Sequence, residues 1–324
     1  MAEFEVAVVG GGGISRAHIA AAKTTGGRVS IAAVVDPNEN ARRAAADAAE
    51  AKAFATFEDF LGAPESKTVR GVIVCTPPSV RLAIVESAMA RGLHVLAEKP
   101  LAHTLADAKW LAEIAAKHPK LTAVVGYCHR FTPAIAEMKK RISDGAIGEV
   151  RHFDNAFVAP LPHMQNHWMS DPTISGGGSF IDTGCHSLDL FLHLIGPGTV
   201  KAAVFRHAWP GRGESSATVL LHSGRGVPGV IRSSWDEPAR FVITVGDTDA
   251  SFTYDYENAT ELLFHPRDGA AQNIPVETHE VRFQRQLEAF ADAASGKTPA
   301  ISPATFADGV LTAERVAEAQ ALAS

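Results

Sequence analysis

The chain has 324 residues, 46% of them hydrophobic, and a formal net charge of −6. This length suits one or two domains with a substantial core, and the absence of a basic block argues against nucleic acid as the main partner. The three cysteines, Cys75, Cys128 and Cys185, form no CxxC pair, so we expect reduced thiols in a cytoplasmic protein. No signal peptide is visible, and no apolar run is long enough to cross a membrane.

Short strand candidates alternate with helix candidates in the first third of the chain. Apolar runs rich in β-branched residues suit strands buried on both faces of a parallel sheet. Five such runs are Phe4–Val9, Val29–Val35, Val69–Thr76, Leu93–Ala97 and Leu121–Gly126. The helix candidates between them are Asn38–Ala51, Ser79–Gly92 and Thr104–His118, each beginning at a polar capping residue. The alternation predicts a doubly wound parallel sheet.

The pattern changes after Tyr127. A helix candidate at Pro133–Gly145 leads into a region, from Val200 to about His265, where strand candidates follow one another without helices. Such a succession is typical of an antiparallel sheet. Helical segments near 279–294 and 303–323 close the chain. We therefore predict an α/β protein. A Rossmann dinucleotide-binding domain occupies 1–126, and an α+β domain with a large, mainly antiparallel open sheet occupies 127–324. The C-terminal helix of this second domain is able to pack back on the first.

Four consecutive glycines, Gly10 to Gly13, stand between the first strand and the first helix. They fit a G-x-G-x-x-S pattern in which Gly10 permits a tight turn and Gly12 lets a pyrophosphate approach the backbone. The helix that begins near Ile14 points its N–H groups at the phosphate charge. Ser15 is a small replacement for the third glycine. Gly10, Gly12, Gly13 and Ile14 are the predicted cofactor contacts of this turn.

An acidic residue, Asp36, ends the second strand, about 20 residues beyond the fingerprint. A carboxylate there accepts hydrogen bonds from the ribose hydroxyls and repels a 2′-phosphate, which favours NAD over NADP as the cofactor. Arg42 and Arg43 lie just beyond it and are able to weaken that preference. Because strand, glycines, helix and acid occur together, we predict dinucleotide binding.

Three further stretches complete a pattern. They are TPPSVR (Thr76–Arg81), AEKPLA (Ala97–Ala102) and GGGSFIDTGCHSLDL (Gly176–Leu190). In this order and spacing the chain resembles the Gfo/Idh/MocA family, the group of glucose–fructose oxidoreductase and inositol dehydrogenase. The resemblance implies a nicotinamide-dependent oxidoreductase that transfers a hydride between the cofactor and a secondary alcohol of a sugar, inositol or related polyol.

The resemblance also implies a catalytic group of Lys99, Asp182 and His186. A neutral histidine is a sensible base for a hydroxyl proton, because the unperturbed pKa of imidazole lies close to working pH. Lys99 can donate a hydrogen bond to the same oxygen and stabilise its developing negative charge. Asp182 can orient the imidazole, hold the lysine or bind a substrate hydroxyl, and the sequence leaves these roles open. Asp189, one turn further on, is a candidate supporting or substrate contact.

Other family positions match less closely. Thr76 and Pro77 resemble the turn beside the cofactor, and Glu98 resembles a residue near the nicotinamide ribose. Position 81 is usually His in the family but is Arg81 here, which puts that contact in doubt. Arg130 is a candidate contact of cofactor or substrate, with a domain-interface salt bridge as the alternative.

The stretch PHMQNHW holds a possible substrate-pocket loop, Pro162–Trp168. His163, His167 and Trp168 can hydrogen-bond or stack on a polyhydroxylated ring. Two histidines four apart also suit a zinc site, but the Glu of H-E-x-x-H is missing, Pro162 interrupts the pattern and no third ligand is evident. We therefore expect no metal.

Two alternative functions stay open. One is an NAD-dependent glycosidase that uses transient oxidation, although the sequence lacks the export signal associated with such relatives. The other is a non-catalytic NAD-binding regulator, although Lys99, Asp182 and His186 are all retained. We also expect a homodimer or homotetramer through the C-terminal sheet, because the alternating apolar residues of Val230–Trp235 and Phe241–Val245 supply an outer face that must be covered.

Overall fold

The computed structural model describes residues 3–323, which form two compact units. Of these residues, the first unit contains 3–128 and 283–310, and the second contains 129–282 and 311–323. The predicted boundary near Gly126 divides the chain into two continuous segments. In the structure, 283–310 lies in the first unit although it follows the second unit in the chain. No helix within 3–323 combines the length and the low polarity that crossing a bilayer requires.

The first unit is built on a seven-stranded sheet with strand order β15-β6-β5-β4-β1-β2-β3. All of its pairings are parallel except that of β15 with β6. Its N-terminal strands are β1 (Phe4–Val9), β2 (Val29–Val35), β3 (Lys52–Phe54), β4 (Gly71–Val74), β5 (His94–Ala97) and β6 (Ala123–Val125). The helices between them are α1 (Gly13–Thr24), α2 (Glu39–Ala49), α3 (Phe57–Gly62), α4 (Arg81–Ala90) and α5 (Leu105–Lys117). The predicted doubly wound sheet is thereby confirmed.

The second unit carries an eight-stranded sheet with order β14-β13-β12-β11-β7-β10-β9-β8. Only β7 and β10 pair in parallel, so the sheet is mainly antiparallel, as predicted. Its helices are α6 (Pro133–Ser143), the short α7 (Pro172–Ser175) and α8 (Cys185–Leu194). Its strands are β7 (His152–Val158), β8 (Gly198–Arg206), β9 (Ser216–Ser223), β10 (Pro228–Ser234), β11 (Arg240–Gly246), β12 (Ser251–Asp255), β13 (Glu261–His265) and β14 (Gln272–Pro275).

The last part of the chain consists of α9 (Arg282–Ala294), β15 (Ala304–Thr305) and α10 (Phe306–Leu322). Helix α9 lies in the first unit because its apolar face is buried there: Leu287 and Phe290 belong to the core of that unit. The ring of Phe290 meets the ring of Phe4 edge-on at 5.6 Å between centroids. Arg28 adds ion pairs to Asp292 at 2.7 Å and to Glu288 at 3.5 Å.

Helix α8 lies on the large sheet of the second unit, and two glycines make room for it. A Cβ on Gly198 of β8 would come within 2.8 Å of the Phe191 ring, and a Cβ on Gly229 of β10 within 2.6 Å. The Phe191 ring also meets Phe153 of β7 edge-on, with the centroids 5.3 Å apart. A bulkier residue at either glycine would push α8 away from the sheet. These glycines therefore set the distance between the sheet and the helix that carries His186.

Candidate functional site

The packing around the glycine turn of the first unit requires glycine at positions 10 and 11 but not at positions 12 and 13. Gly10 has a φ of +103°, and a Cβ there would lie 2.8 Å from the Cys75 carbonyl carbon. A Cβ on Gly11 would lie 2.8 Å from the Ala41 carbonyl oxygen. A Cβ on Gly12 or Gly13 would meet nothing within 4 Å. The protein itself therefore gives no reason for Gly12, whereas a phosphate lying close to the backbone does.

Two further observations show that the turn suits a dinucleotide. The N-cap position of α1 is Gly12, which has no side chain to occupy the helix N-terminus, and no acidic residue lies in the first turn, so the N–H groups there are open to an anion. The second observation concerns Thr76, whose buried Oγ1 has no hydrogen-bond partner among residues 3–323. Ser15 is buried and donates its hydroxyl to the Gly12 carbonyl at 2.7 Å, which tightens the turn. Ile14 is the second residue of α1 and is half-buried.

Asp36 lies directly after β2 and is held by two backbone amides. Gly11 N–H donates to Oδ2 and Asn38 N–H donates to Oδ1, both at 2.7 Å. The carboxylate is half-buried beside the glycine turn, where it would accept hydrogen bonds from the ribose hydroxyls of a dinucleotide. Arg42 donates from its guanidinium to the Asp36 carbonyl at 2.7 Å. Arg43 instead pairs with Glu39 on the exposed side of α2, at 2.8 Å.

The EKP turn follows β5, at the carboxyl edge of the parallel sheet. Glu98 is buried, and its Oε1 lies 2.7 Å from Nε2 of His18, a fully buried residue of α1. Its Oε2 accepts the N–H of Lys99 at 3.2 Å. Glu98 thus holds its own turn against α1, while its contact with the nicotinamide ribose stays a prediction. His18 was not singled out from the sequence, because its partner lies 80 residues away.

Arg81 begins α4 and is 1% exposed, which is unusual for a guanidinium. Burial lowers its pKa to about 10, against the opposing attraction of Glu98, so the group still carries its charge at neutral pH. Burial and the charge of Glu98 both raise the pKa of the neighbouring Cys75 thiol. Lys99 and Pro77 are half-buried at this same edge of the sheet.

The second unit places Asp182 and His186 on one helical run. Residues Phe180–Gly184 form a π-helical turn that continues directly into α8. The buried Glu214 carboxylate accepts the Phe180 N–H at 2.9 Å and so caps this turn. Burial raises the pKa of Glu214. His186 is 8% exposed, and its ring meets the ring of His129 edge-on with the centroids 4.6 Å apart.

Asp182 has a partner that sequence analysis missed. The indole Nε1 of Trp235 donates to Asp182 Oδ2 at 3.2 Å, and Trp235 is fully buried at the end of β10, stacked on Trp209. This bond fixes the orientation of the carboxylate. Nothing local in the sequence signals the pair, because the two residues lie 53 positions apart.

Arg130 and Asp189 form a buried ion pair inside the second unit. The guanidinium donates to both carboxylate oxygens, from Nε at 2.8 and 3.1 Å and from Nη2 at 2.6 Å. Such a bidentate bond has good geometry and needs no substrate to satisfy it. The structure therefore shows Arg130 in a salt bridge inside the second unit, whereas the alternative considered from the sequence was a salt bridge at a domain interface. Its contact with cofactor or substrate stays a prediction.

The histidine-containing loop forms two short 3-10 turns, Pro162–Asn166 and Trp168–Ser170. His163 is exposed on the first turn, and His167 lies between the two, so the pair does not share the face of one α-helix. The rings of His167 and Trp168 lie 5.5 Å apart. Burial lowers the pKa of His167, and the negative charge of Asp182 acts in the opposite direction.

A parallel sheet with a glycine turn, an uncapped helix N-terminus and an acid after β2 defines an NAD-binding Rossmann unit. The model of the oxidoreductase family with an NAD-binding Rossmann fold matches residues 4–127, and the Gfo/Idh/MocA C-terminal domain model matches 135–253. The chain is 30% identical to the rhizopine catabolism protein MocA of Rhizobium meliloti over 318 residues, which are 96% of this chain and 93% of that protein. The chain belongs to the Gfo/Idh/MocA family.

The chain is also similar to a further curated protein and, in fold, to a solved structure. Inositol 2-dehydrogenase of Corynebacterium glutamicum is 24% identical over 81% of this chain and 71% of its own length. The structure of levoglucosan dehydrogenase in complex with NADH superimposes with a TM-score of 0.87 at 20% identity, covering 99% of this chain and 98% of that one. The predicted fold class and family are confirmed. The chain is an NAD(P)-dependent oxidoreductase that uses a nicotinamide cofactor.

Proposed function

We propose that the chain oxidises or reduces a secondary alcohol of a sugar, inositol or related polyol, with NAD as the preferred cofactor. The observation that carries the cofactor preference is the Asp36 carboxylate, held by two backbone amides beside the glycine turn. The other proposed cofactor contacts are Gly10, Gly12, Gly13, Ile14, Thr76, Pro77, Glu98 and Lys99. The names of the relatives, which include inositol 2-dehydrogenase and levoglucosan dehydrogenase, support the substrate class.

The proposed chemistry assigns roles to the side chains of Lys99, Asp182 and His186. The glycine turn and Asp36 would hold NAD, which would supply the hydride acceptor for the carbon that carries the hydroxyl group. His186 takes the hydroxyl proton, and the Lys99 ammonium donates a hydrogen bond to the oxygen on which negative charge develops. Asp182, fixed by Trp235, binds a substrate hydroxyl or orients the imidazole. His163, His167 and Trp168 contribute to substrate binding.

NADH formation tests this proposal. Purified protein is supplied with NAD or NADP and with levoglucosan, inositols, aldoses or anhydrosugars, and NADH absorbance is followed. We expect turnover with at least one polyol, faster with NAD, and much slower but measurable turnover in Lys99→Ala. NADH that binds in a fluorescence titration without turnover on any polyol would contradict the proposed reaction and favour a glycosidase or a regulator.

We further propose that the outer face of the eight-stranded sheet joins two copies of this chain. Val204 on β8 is 60% exposed and Leu220 on β9 is 40% exposed, and both point away from the core. Val230 lies opposite Leu220 on β10 and extends this apolar strip. Light scattering is expected to give a dimer or tetramer mass, and Leu220→Glu to shift it towards the monomer. A monomeric mass for the unmodified chain would contradict the proposal.

A further inference from the structure

The guanidinium of Arg81 is bonded to main-chain oxygens on both sides of Lys99. Nη1 donates to the carbonyls of Glu98 and Pro100, and at 3.2 Å to that of Leu101. Nη2 donates to the Thr76 carbonyl at 2.7 Å. The side chain thus joins the end of β4 to the turn after β5. Four main-chain carbonyls accept hydrogen bonds from its planar guanidinium.

This arrangement fixes the backbone from which the Lys99 side chain projects. The Glu98 carbonyl belongs to the peptide before Lys99 and the Pro100 carbonyl to the peptide after Pro100, and both accept from the same nitrogen. Neither of these two peptides, on either side of the Lys99–Pro100 pair, can rotate without breaking a charge-assisted hydrogen bond. The planar fork of Arg suits several acceptors at once, whereas a lysine offers a single point charge. Burial of the guanidinium strengthens the bonds, because water does not compete for the donors.

We propose that Arg81 is a positioning residue for Lys99, holding the EKP turn so that the lysine ammonium meets the substrate oxygen. The inference rests on the catalytic role proposed above for Lys99. It also gives a function to the position where the family resemblance led us to expect His. Because Arg81 acts through the backbone, its loss affects the placement of Lys99 rather than the chemistry of the ammonium group.

A double-mutant cycle tests the proposal, using the best polyol substrate from the assay above. Arg81→Met is expected to lower kcat by about 10²-fold, the cost of a displaced catalytic group. Arg81→Lys keeps the charge and is expected to lose less. In a Lys99→Ala background, Arg81→Met is expected to change kcat by no more than about twofold, since the residue it positions is already gone.

The control variant is Arg28→Met. It removes two ion pairs from the same unit and is expected to lower the melting temperature while leaving kcat unchanged. Hydrogen exchange of the 97–102 segment supplies a readout that needs no substrate: exchange is expected to accelerate in Arg81→Met and to stay unchanged in Arg28→Met. This measurement also keeps the proposal testable if Arg81→Met is poorly stable, because Arg81→Lys shows the same effect to a smaller degree.

The outcomes separate the two proposals. Equal losses of kcat from Arg81→Met in the wild-type and Lys99→Ala backgrounds would overturn the positioning role, and so would unchanged exchange of 97–102. Wild-type turnover in Lys99→Ala would instead overturn the catalytic role of Lys99, whatever the exchange data show.

Discussion

Replacing His186 by alanine is expected to lower kcat for alcohol oxidation by about 10²–10⁴-fold, the range that a positioned general base supplies. The residue lies on α8, whose position is fixed by the packing of Phe191 against Gly198 and Gly229. Its ring is 8% exposed, so bulk water is a poor substitute for the missing base. Steady-state NADH formation across a range of pH measures the effect.

A matched variant controls for the loss of an imidazole elsewhere in the same unit. His265 is exposed at the end of β13, and His265→Ala is expected to retain the wild-type pH profile. Circular dichroism and NADH titration show whether His186→Ala keeps its fold and its cofactor. A folded, NADH-binding His186→Ala that turns over at the wild-type rate at every pH would remove His186 from the proposed mechanism.

Features set by neighbouring residues were predictable from the sequence. The strands Phe4–Val9 and Val29–Val35 have the predicted bounds, because buried β-branched runs determine both strand type and length. Thr104 caps α5 by accepting the Asp107 N–H at 3.1 Å, as its spacing indicates. Three edge strands, β3, β14 and β15, were missed. They are three, four and two residues long, and so short a run carries too little alternation to detect.

Features set by distant residues were not predictable. The amphipathic face of α9 shows that the helix packs, but not that it packs in the first unit against Phe4. The partners of Glu98 and Asp182 are His18 and Trp235, each brought close only by the fold. Motif resemblance supplied the candidate site residues. The contacts that hold those residues in place had to come from the structure.

Replacing Asp36 by alanine is expected to shift the ratio of kcat/KM for NAD over NADP by about 10²-fold towards NADP. A carboxylate facing a 2′-phosphate costs several kcal/mol, and each 1.4 kcal/mol is about a factor of ten. The variant also leaves Gly11 N–H without its acceptor, so we expect weaker NAD binding as well. Initial rates with both cofactors and a fixed polyol concentration measure the ratio.

Arg42 determines which effect the Asp36→Ala substitution has: the variant either binds NADP more tightly or only binds NAD more weakly. Its guanidinium is bonded to the Asp36 main-chain carbonyl, which alanine at position 36 retains, so a cation stays beside the ribose in the variant. Adding Arg42→Ala to Asp36→Ala is therefore expected to reduce the NADP rate, whereas adding Arg43→Ala is not, because Arg43 pairs with Glu39. If Asp36→Ala leaves the cofactor ratio unchanged, the carboxylate does not face the ribose, and the NAD preference proposed from it is wrong.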